Sequence, residues 1–356
     1  MVFLTKLQLF FLFIPGKLDS YAQCFFERIE GGHQMKTAVL YNPNAGKRIS
    51  VKLVLQRLSD FFAGDELLVA NPALEIPGVH ITPVSILQTA NSNYVSYLNN
   101  MVDALVQAGA DRFVCVGGDG TATYVRTALY AAGQDLPIMG VAAGTANVGP
   151  IVSVTLDQLD GRNVQQAKEV CYDGIAVLEG NRLISLAFND LVVGDTFLST
   201  VDGRPCNTSV SALVKRGEIV VQSPSTDIVT DEFHVKLNGL TCRPSVREIH
   251  QIIVSAVAHE NHYGRAIYGP IGKCDWSEKK GVIALCDHIA VTYEENDAGM
   301  NRFSTMQYLL FGPHDQVELH GFTPKACLIC DGNPYLMTEN SIQLKYLPHL
   351  VKTLTL

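Results

Sequence analysis

Apolar and polar positions alternate between two rhythms in the first half of the chain. Residues 36–41 form an apolar run, Thr37-Ala38-Val39-Leu40-Tyr41 after Lys36, with the length of a buried strand. The run ends in the turn-forming string Asn42-Pro43-Asn44-Ala45-Gly46-Lys47. Val51, Val54, Leu55, Leu58 and Phe62 then recur at the spacing of one helix face. Residues 79–84 predict a second strand. Tyr94, Val95, Leu98, Met101, Val102, Leu105 and Val106 predict a strongly amphipathic helix closed by Gly109. Residues 112–116 are a further apolar run, followed by Gly117-Gly118-Asp119-Gly120-Thr121 and a helical pattern through Val125, Ala128, Leu129 and Ala132. A strand over 137–141 leads to a second small-residue turn, Ala142-Ala143-Gly144-Thr145-Ala146-Asn147. Repeated strand–helix–strand units predict a doubly wound parallel sheet with helices on both faces. The turns at 42–47, 117–121 and 143–147 all fall at the C-terminal ends of strands, where such sheets bind ligands.

The rhythm changes near residue 171. Short β-rich runs at 175–178, 183–193, 218–221, 234–237, 249–258, 282–293, 316–319, 325–330 and 342–347 are separated by turn residues. They predict a β-sandwich of packed antiparallel sheets. Residues 156–170 read as a connecting helix. The organisation expected is therefore α/β followed by all-β: a nucleotide-binding domain over 36–170 and a β-sandwich domain over 171–356, with a ligand cleft between them. Residues 1–34 stand apart. Their first fifteen are rich in Phe and Leu with one Lys, like a short leader core, while Met35-Lys36 directly precedes the first strand. They are read as a dispensable extension from an upstream start codon, with a true leader as the alternative.

Composition narrows the classes. The chain has 356 residues and a formal net charge of -8, without a basic block, which argues against a nucleic-acid footprint. An acidic protein that binds phosphate does so locally, with backbone N–H groups, a helix N-terminus, a metal ion or a few basic side chains. Nine scattered cysteines, including Cys115, Cys286, Cys327 and Cys330 inside apolar runs, read as reduced and buried in a cytoplasmic protein. Cys327 and Cys330 have metal-like spacing, but on a strand they point to opposite faces. His259 and His262 lack a second ligand pair and read as loop. Arg265, in the glycine-rich stretch 264–272, reads as part of a β-turn cluster.

The glycine turn carries the chemistry. Glycines let the backbone approach phosphate oxygens without a Cβ clash. The N–H groups of the turn and of the helix that follows supply positive potential. Asp119 is an acid where a phosphate cradle has no use for one. Its carboxylate suits proton abstraction from an attacking hydroxyl, or Mg²⁺ binding. As a purely architectural residue it would begin the helix.

At these residues the sequence resembles the superfamily that joins NAD kinases with diacylglycerol and sphingosine-type lipid kinases. Gly117-Gly118-Asp119-Gly120-Thr121 matches its hallmark. The Asn42-Pro43-Asn44-Ala45-Gly46-Lys47 string resembles its first-strand turn, and Gly144-Thr145-Ala146-Asn147 its third nucleotide-binding turn. Asn189-Asp190 resembles the polar pair with which NAD kinases contact the dinucleotide. Asp331-Gly332 resembles a late motif of both branches. Two segments depart: Ala122-Thr123-Tyr124 replaces the lipid-kinase Leu-Asn-Glu run, and Ser223-Pro224-Ser225-Thr226-Asp227 stands where NAD kinases have Thr-Gly-Ser-Thr-Ala-Tyr.

The resemblance implies a kinase that uses ATP and Mg²⁺ to phosphorylate the adenosine-ribose 2′-hydroxyl of NAD. Asn42, Gly46, Lys47, Gly117, Gly118, Gly120, Thr121, Gly144, Thr145 and Asn147 would hold nucleotide phosphates. Asp119 would serve as catalytic base or Mg²⁺ ligand. Asn189, Asp190, Ser225, Thr226 and Asp331 would grip the acceptor. A homodimer or homotetramer built through the β domain is implied as well. A lipid kinase and a non-catalytic nucleotide-binding protein remain as alternatives.

Overall fold

The computed structural model describes residues 34–42, 45, 49–70, 76–86, 94–144, 147–201, 204–246, 248–256, 281–293 and 304–356. Residues 1–33, Gly46, Lys47, Thr145, the His259/His262 pair and the 264–272 stretch lie outside them. The described chain begins with β1 (Lys36–Tyr41), α1 (Val51–Phe61), β2 (Glu66–Ala70), β3 (Ile81–Val84), α2 (Tyr94–Gln107), β4 (Arg112–Gly117), α3 (Asp119–Ala131), β5 (Ile138–Ala142) and β6 (Val152–Val154). Strands β5-β4-β1-β2-β3 are neighbours in that order and all parallel, with β6 also beside β5. Alternate residues leave each central strand on opposite sides. Ala38, Leu40, Phe113 and Cys115 join one core cluster; Val39, Val114 and Val116 join another. Helices cover both faces, as a parallel sheet requires.

The second half contributes β7 (Lys168–Glu179), β8 (Arg182–Ala187), β9 (Leu191–Gly194), β10 (Thr196–Val201), β11 (Arg204–Ser209), α4 (Val210–Arg216), β12 (Val229–Leu237), β13 (Leu240–Cys242), β14 (Gln251–Ala256), β15 (Gly281–Cys286), β16 (Met306–Phe311), β17 (Val317–Phe322), β18 (Cys327–Cys330), β19 (Asn333–Leu336) and β20 (Ser341–Thr355). Strands β16-β15-β14-β9-β18-β19 form one antiparallel sheet. Its apolar face, including Val193, Ile252, Ile283 and Leu328, packs against Val177, Val235, Leu319 and Leu344 from β7, β12, β17 and β20. Two antiparallel layers around one core make the sandwich. The second layer is continuous with the parallel sheet. β20 runs antiparallel to β7 and β17, and its Thr353 lies parallel to Ile138 of β5.

Several elements differ from the sequence pattern. The helix expected over 156–170 is two 3-10 turns, Leu156–Leu159 and Val164–Gln166, each opened by a capping box, with Gly161 at φ 67° between them. Two competing N-caps within one segment prevent a continuous helix. The run at 183–193 breaks at Phe188-Asn189-Asp190 into β8 and β9. At 218–221 only an isolated bridge forms, from Val221 to Thr208. β2, the β10–β11 hairpin and α4 had no clear signature in the pattern. β7 runs straight through residues 170–171, where the pattern changes.

The β7–β8 turn is anchored by a buried acid. Glu179 accepts from Thr338 N at 2.5 Å, Thr338 Oγ1 at 2.6 Å and Glu339 N at 2.9 Å, and pairs with Arg182. Burial works to raise its carboxyl, but these donors outweigh it and hold the group below its ordinary value of 4.5. A lowered folded value means stability that is present above the unfolded value and lost as pH falls through the folded one. Glu179→Gln is expected to flatten that acid-side loss, read as the melting temperature from neutral pH down to about pH 3.

Candidate active site

The ends of β1, β4 and β5 are laced together by backbone hydrogen bonds. Asn42 N donates to Val116 O at 2.9 Å, and Ala143 N and Gly144 N donate to Gly117 O at 2.8 and 3.1 Å. Gly118 is the N-cap of α3, with φ -106° and ψ -178°. The helix that starts there begins with N–H groups that have no intrahelical acceptor. Asn42 Nδ2 donates to Thr121 Oγ1 at 2.9 Å, which ties the first turn to the glycine turn. Close approach explains the glycines. A Cβ on Gly117 would lie 2.6 Å from Thr121 Oγ1, and one on Gly144 would lie 2.7 Å from Asn147 Oδ1.

Asp119 lies in the first turn of α3, where a carboxylate suits the helix dipole. Its Oδ2 accepts from Val148 N at 2.7 Å and Gly149 N at 2.9 Å. Gly149 faces the carboxylate so closely that a Cβ there would stand 3.0 Å from it. The third turn thus fixes the orientation of the acid that the second turn carries.

The β half closes on this helix through the β18–β19 turn. Asp331, at φ 48°, is buried. Its Oδ2 accepts from Thr123 Oγ1 at 2.6 Å and Phe188 N at 2.8 Å; its Oδ1 accepts from Asn189 N at 2.8 Å and Asp190 N at 3.0 Å. Burial pushes its carboxyl above the ordinary range while these donors pull it back. Four internal donors occupy the lone-pair sites of one carboxylate. The sequence suggested acceptor contact for Asp331; the geometry makes it the clamp that joins α3 to the Phe188-Asn189-Asp190 turn. Next to it, Asn333 Nδ2 donates to Gly120 O at 2.9 Å. A Cβ on Gly120 would lie 2.4 Å from Asn333 Oδ1. Gly120→Ala is expected to cost roughly 1–3 kcal/mol in stability through that overpacking, measured by denaturant unfolding.

The structure therefore brings Asn42, Gly117, Gly118, Asp119, Gly120, Thr121, Gly144, Asn147, Asn189, Asp190 and Asp331 to one junction. Ser225 and Thr226 are not there. Ser225 N donates to Asp195 Oδ1 at 2.9 Å, at the far end of β9 from Asp190, a strand length of roughly 13 Å away. Asn333 and Gly149 were missed in the sequence, although Asn333 directly follows the Asp331-Gly332 pair and Gly149 lies two residues past the third turn.

Two further atoms mark the site. Asn147 Oδ1 and Asn189 Oδ1 are buried oxygens with no hydrogen-bond partner among the described residues. Asn189 Nδ2 donates to Asp190 Oδ2 at 3.1 Å, so its oxygen is the end left over. Cysteine plays no part in this arrangement. Cys327 and Cys330 enter different core clusters on opposite faces of β18, and burial pushes the Cys327 thiol up to about 11.

Residues 36–171 match the family described as the diacylglycerol kinase catalytic domain. A protein of Archaeoglobus fulgidus, itself described as uncharacterized, is 27% identical over 309 residues, covering 84% of this chain and 92% of the relative. Among solved structures, yeast NADH kinase complexed with NADH is 11% identical at a TM-score of 0.48, covering 90% of this chain and 82% of that one. An NAD kinase from Archaeoglobus fulgidus in complex with ATP is 14% identical at 0.43, covering 90% and 93%. A diacylglycerol kinase from Bacillus anthracis str. Sterne is 12% identical at 0.49, covering 90% and 96%. The region that matches the diacylglycerol kinase catalytic domain is the half of the chain that carries the glycine turn, Asp119 and the third turn.

Proposed function

We propose that the protein is an ATP-dependent phosphotransferase that phosphorylates the adenosine-ribose 2′-hydroxyl of NAD. In this reading the amides of the turns at 42–47, 117–121 and 143–147 receive the phosphates of ATP. Asp119 sits at the transfer point, where it draws the proton from the acceptor hydroxyl or orients that hydroxyl through a cation. Catalysis is then mainly positioning and charge neutralisation. Asp119 is a hard carboxylate that would hold Mg²⁺ in this reading, with nucleotide phosphate oxygens and water supplying the remaining ligands. When bound, the ion neutralises charge on the transferring phosphoryl group.

The observation that carries the acceptor assignment is the pair of orphan oxygens, Asn147 Oδ1 and Asn189 Oδ1. A buried acceptor without a donor calls for a ligand that brings N–H or O–H groups. A dinucleotide offers an exocyclic amine and several ribose hydroxyls. ATP, the donor in either reading, brings the same groups to one of these oxygens; for the other, diacylglycerol offers only the hydroxyl that would be phosphorylated. The test is transfer of labelled γ-phosphate with NAD, NADH and diacylglycerol supplied in parallel. Labelled NADP supports the reading. A labelled lipid overturns it, and so does binding of ATP and NAD without transfer.

A further inference from the structure

One face of α3 is turned to the β half. Gly120, Thr123, Tyr124 and Thr127 recur at the i, i+3, i+4, i+7 spacing of a single helix face, and all four meet that half. Gly120 O accepts from Asn333 Nδ2 at 2.9 Å, and Thr123 Oγ1 donates to Asp331 Oδ2 at 2.6 Å. The Tyr124 and Tyr335 rings meet edge to face with centroids 6.1 Å apart, and Thr127 Oγ1 accepts from Leu186 N at 3.2 Å. Thr121 lies on another side of the helix, bonded to Asn42. Ala122-Thr123-Tyr124 is one of the two segments that depart from the family resemblance. Two of its three side chains are committed to the β half.

Thr123 differs from the other three in what its partner holds. It stands one turn after Asp119 on nearly the same side of the helix, roughly 6 Å further along the axis. It is buried, with 1% of its surface exposed. The carboxylate to which it donates also accepts from Phe188 N, Asn189 N and Asp190 N at 2.8, 2.8 and 3.0 Å. Hydrogen bonds in series thus connect the helical turn that carries Asp119 with the Phe188-Asn189-Asp190 turn. That turn has a further support from β14, where Ser255 Oγ donates to Asn189 O at 2.6 Å. Its own shape is therefore held by Asp331 and Ser255, and its placement against Asp119 is set through the Thr123 hydroxyl.

We propose that Thr123 is a positioning residue for phosphoryl transfer: its hydroxyl, through Asp331, sets the spacing between Asp119 and the turn that grips the acceptor. This rests on the transfer point proposed above, and it holds for any acceptor gripped by that turn. Contact distances give the magnitude. Valine has the shape of threonine with a methyl group in place of the hydroxyl. A carbon and an oxygen in contact stand roughly 3.3–3.6 Å apart, so the methyl drives α3 and Asp331 roughly 0.7–1 Å further apart than the present 2.6 Å. A misplacement of about 1 Å between reacting groups costs about 100-fold in rate. ATP and the acceptor each keep their own contacts, so the loss falls on kcat rather than on either KM.

The experiment compares Thr123→Val, Thr123→Ser and the parent chain in the labelled γ-phosphate assay, with whichever of NAD, NADH and diacylglycerol the parent labels. Thr123→Val is expected to lower kcat by about 100-fold, with the KM for ATP and for the acceptor within about threefold of the parent values. Thr123→Ser keeps the hydroxyl, and its kcat is expected to stay within about threefold of the parent. Melting curves verify that each variant is folded at the assay temperature. Thr123→Ala removes the hydroxyl without the new methyl contact and is expected to show the same split between kcat and KM, so the test survives a fold that rejects valine. Parent-like kcat in the valine and alanine variants overturns the positioning role. A loss confined to KM, or one that serine fails to rescue, overturns it as well. A parent chain that labels diacylglycerol overturns the NAD assignment alone, and the same variants then decide the role of Thr123. A parent chain that labels no acceptor overturns the transfer reading and the positioning role together.

Discussion

Asp119→Asn is expected to lower turnover by about 10³-fold while leaving the fold intact. The substitution keeps the size of the side chain and removes the charge. An amide still offers an oxygen to Val148 N and Gly149 N, which now bind Asp119 Oδ2 at 2.7 and 2.9 Å. The turn therefore holds. What is lost, under the proposed function, is the carboxylate that would receive a proton or hold a cation. With the phosphates assigned in that reading to amides of the turns rather than to this acid, the expected signature is a fall in kcat with the KM for ATP little changed. Activity near that of the parent protein would remove Asp119 from the transfer point.

Asp331→Ala is expected to have the largest effect on stability, a loss of about 3–5 kcal/mol. The carboxylate joins two halves of the molecule through four donors: the Thr123 hydroxyl from α3 and the amides of Phe188, Asn189 and Asp190. Truncation removes the acceptor that all four share. Alanine also sits poorly at the positive φ that Asp331 adopts. Denaturant unfolding measures the loss. Asp331→Asn keeps one acceptor oxygen and tolerates the backbone, so it is expected to recover part of the stability. A cost below about 1 kcal/mol for the alanine variant would show that the clamp contributes little.

The α/β half was largely legible because its elements follow one period each. β1, β4 and β5 are apolar runs ended by glycine or asparagine turns, and α1 buries Val54, Leu55, Leu58 and Phe61 at the expected spacing. The glycine turn was legible for a different reason. Its residues are dictated by close approach, at Gly117 to Thr121 and at Gly120 to Asn333, where an added Cβ would force a neighbour to move. Elements without a periodic signature were lost. β2 is five residues long, and α4 is seven residues long with only Val210 and Ala212 buried. The segment 156–170 carried helix-starting residues twice, so each start ended the other. Asp331 was legible as a motif acid, but a motif reports only that an acid stands there, and the fold reports which donors it meets. Ser225 and Thr226 read as acceptor contacts by position along the motif order, and the length of β9 sets Ser225 roughly 13 Å from Asp190.

The closing strand has a consequence for how the molecule comes into being. β20 is made after β5, β7 and β17, yet it pairs with β7 and β17 and reaches β5 through Thr353. The nucleotide half is therefore left with an incomplete sheet until residues 341–355 emerge. A ribosome-bound intermediate that ends before residue 341 is expected to keep the Ile138 end of β5, which β6 does not reach, open to protease and to other chains for most of the time it takes to translate the second half.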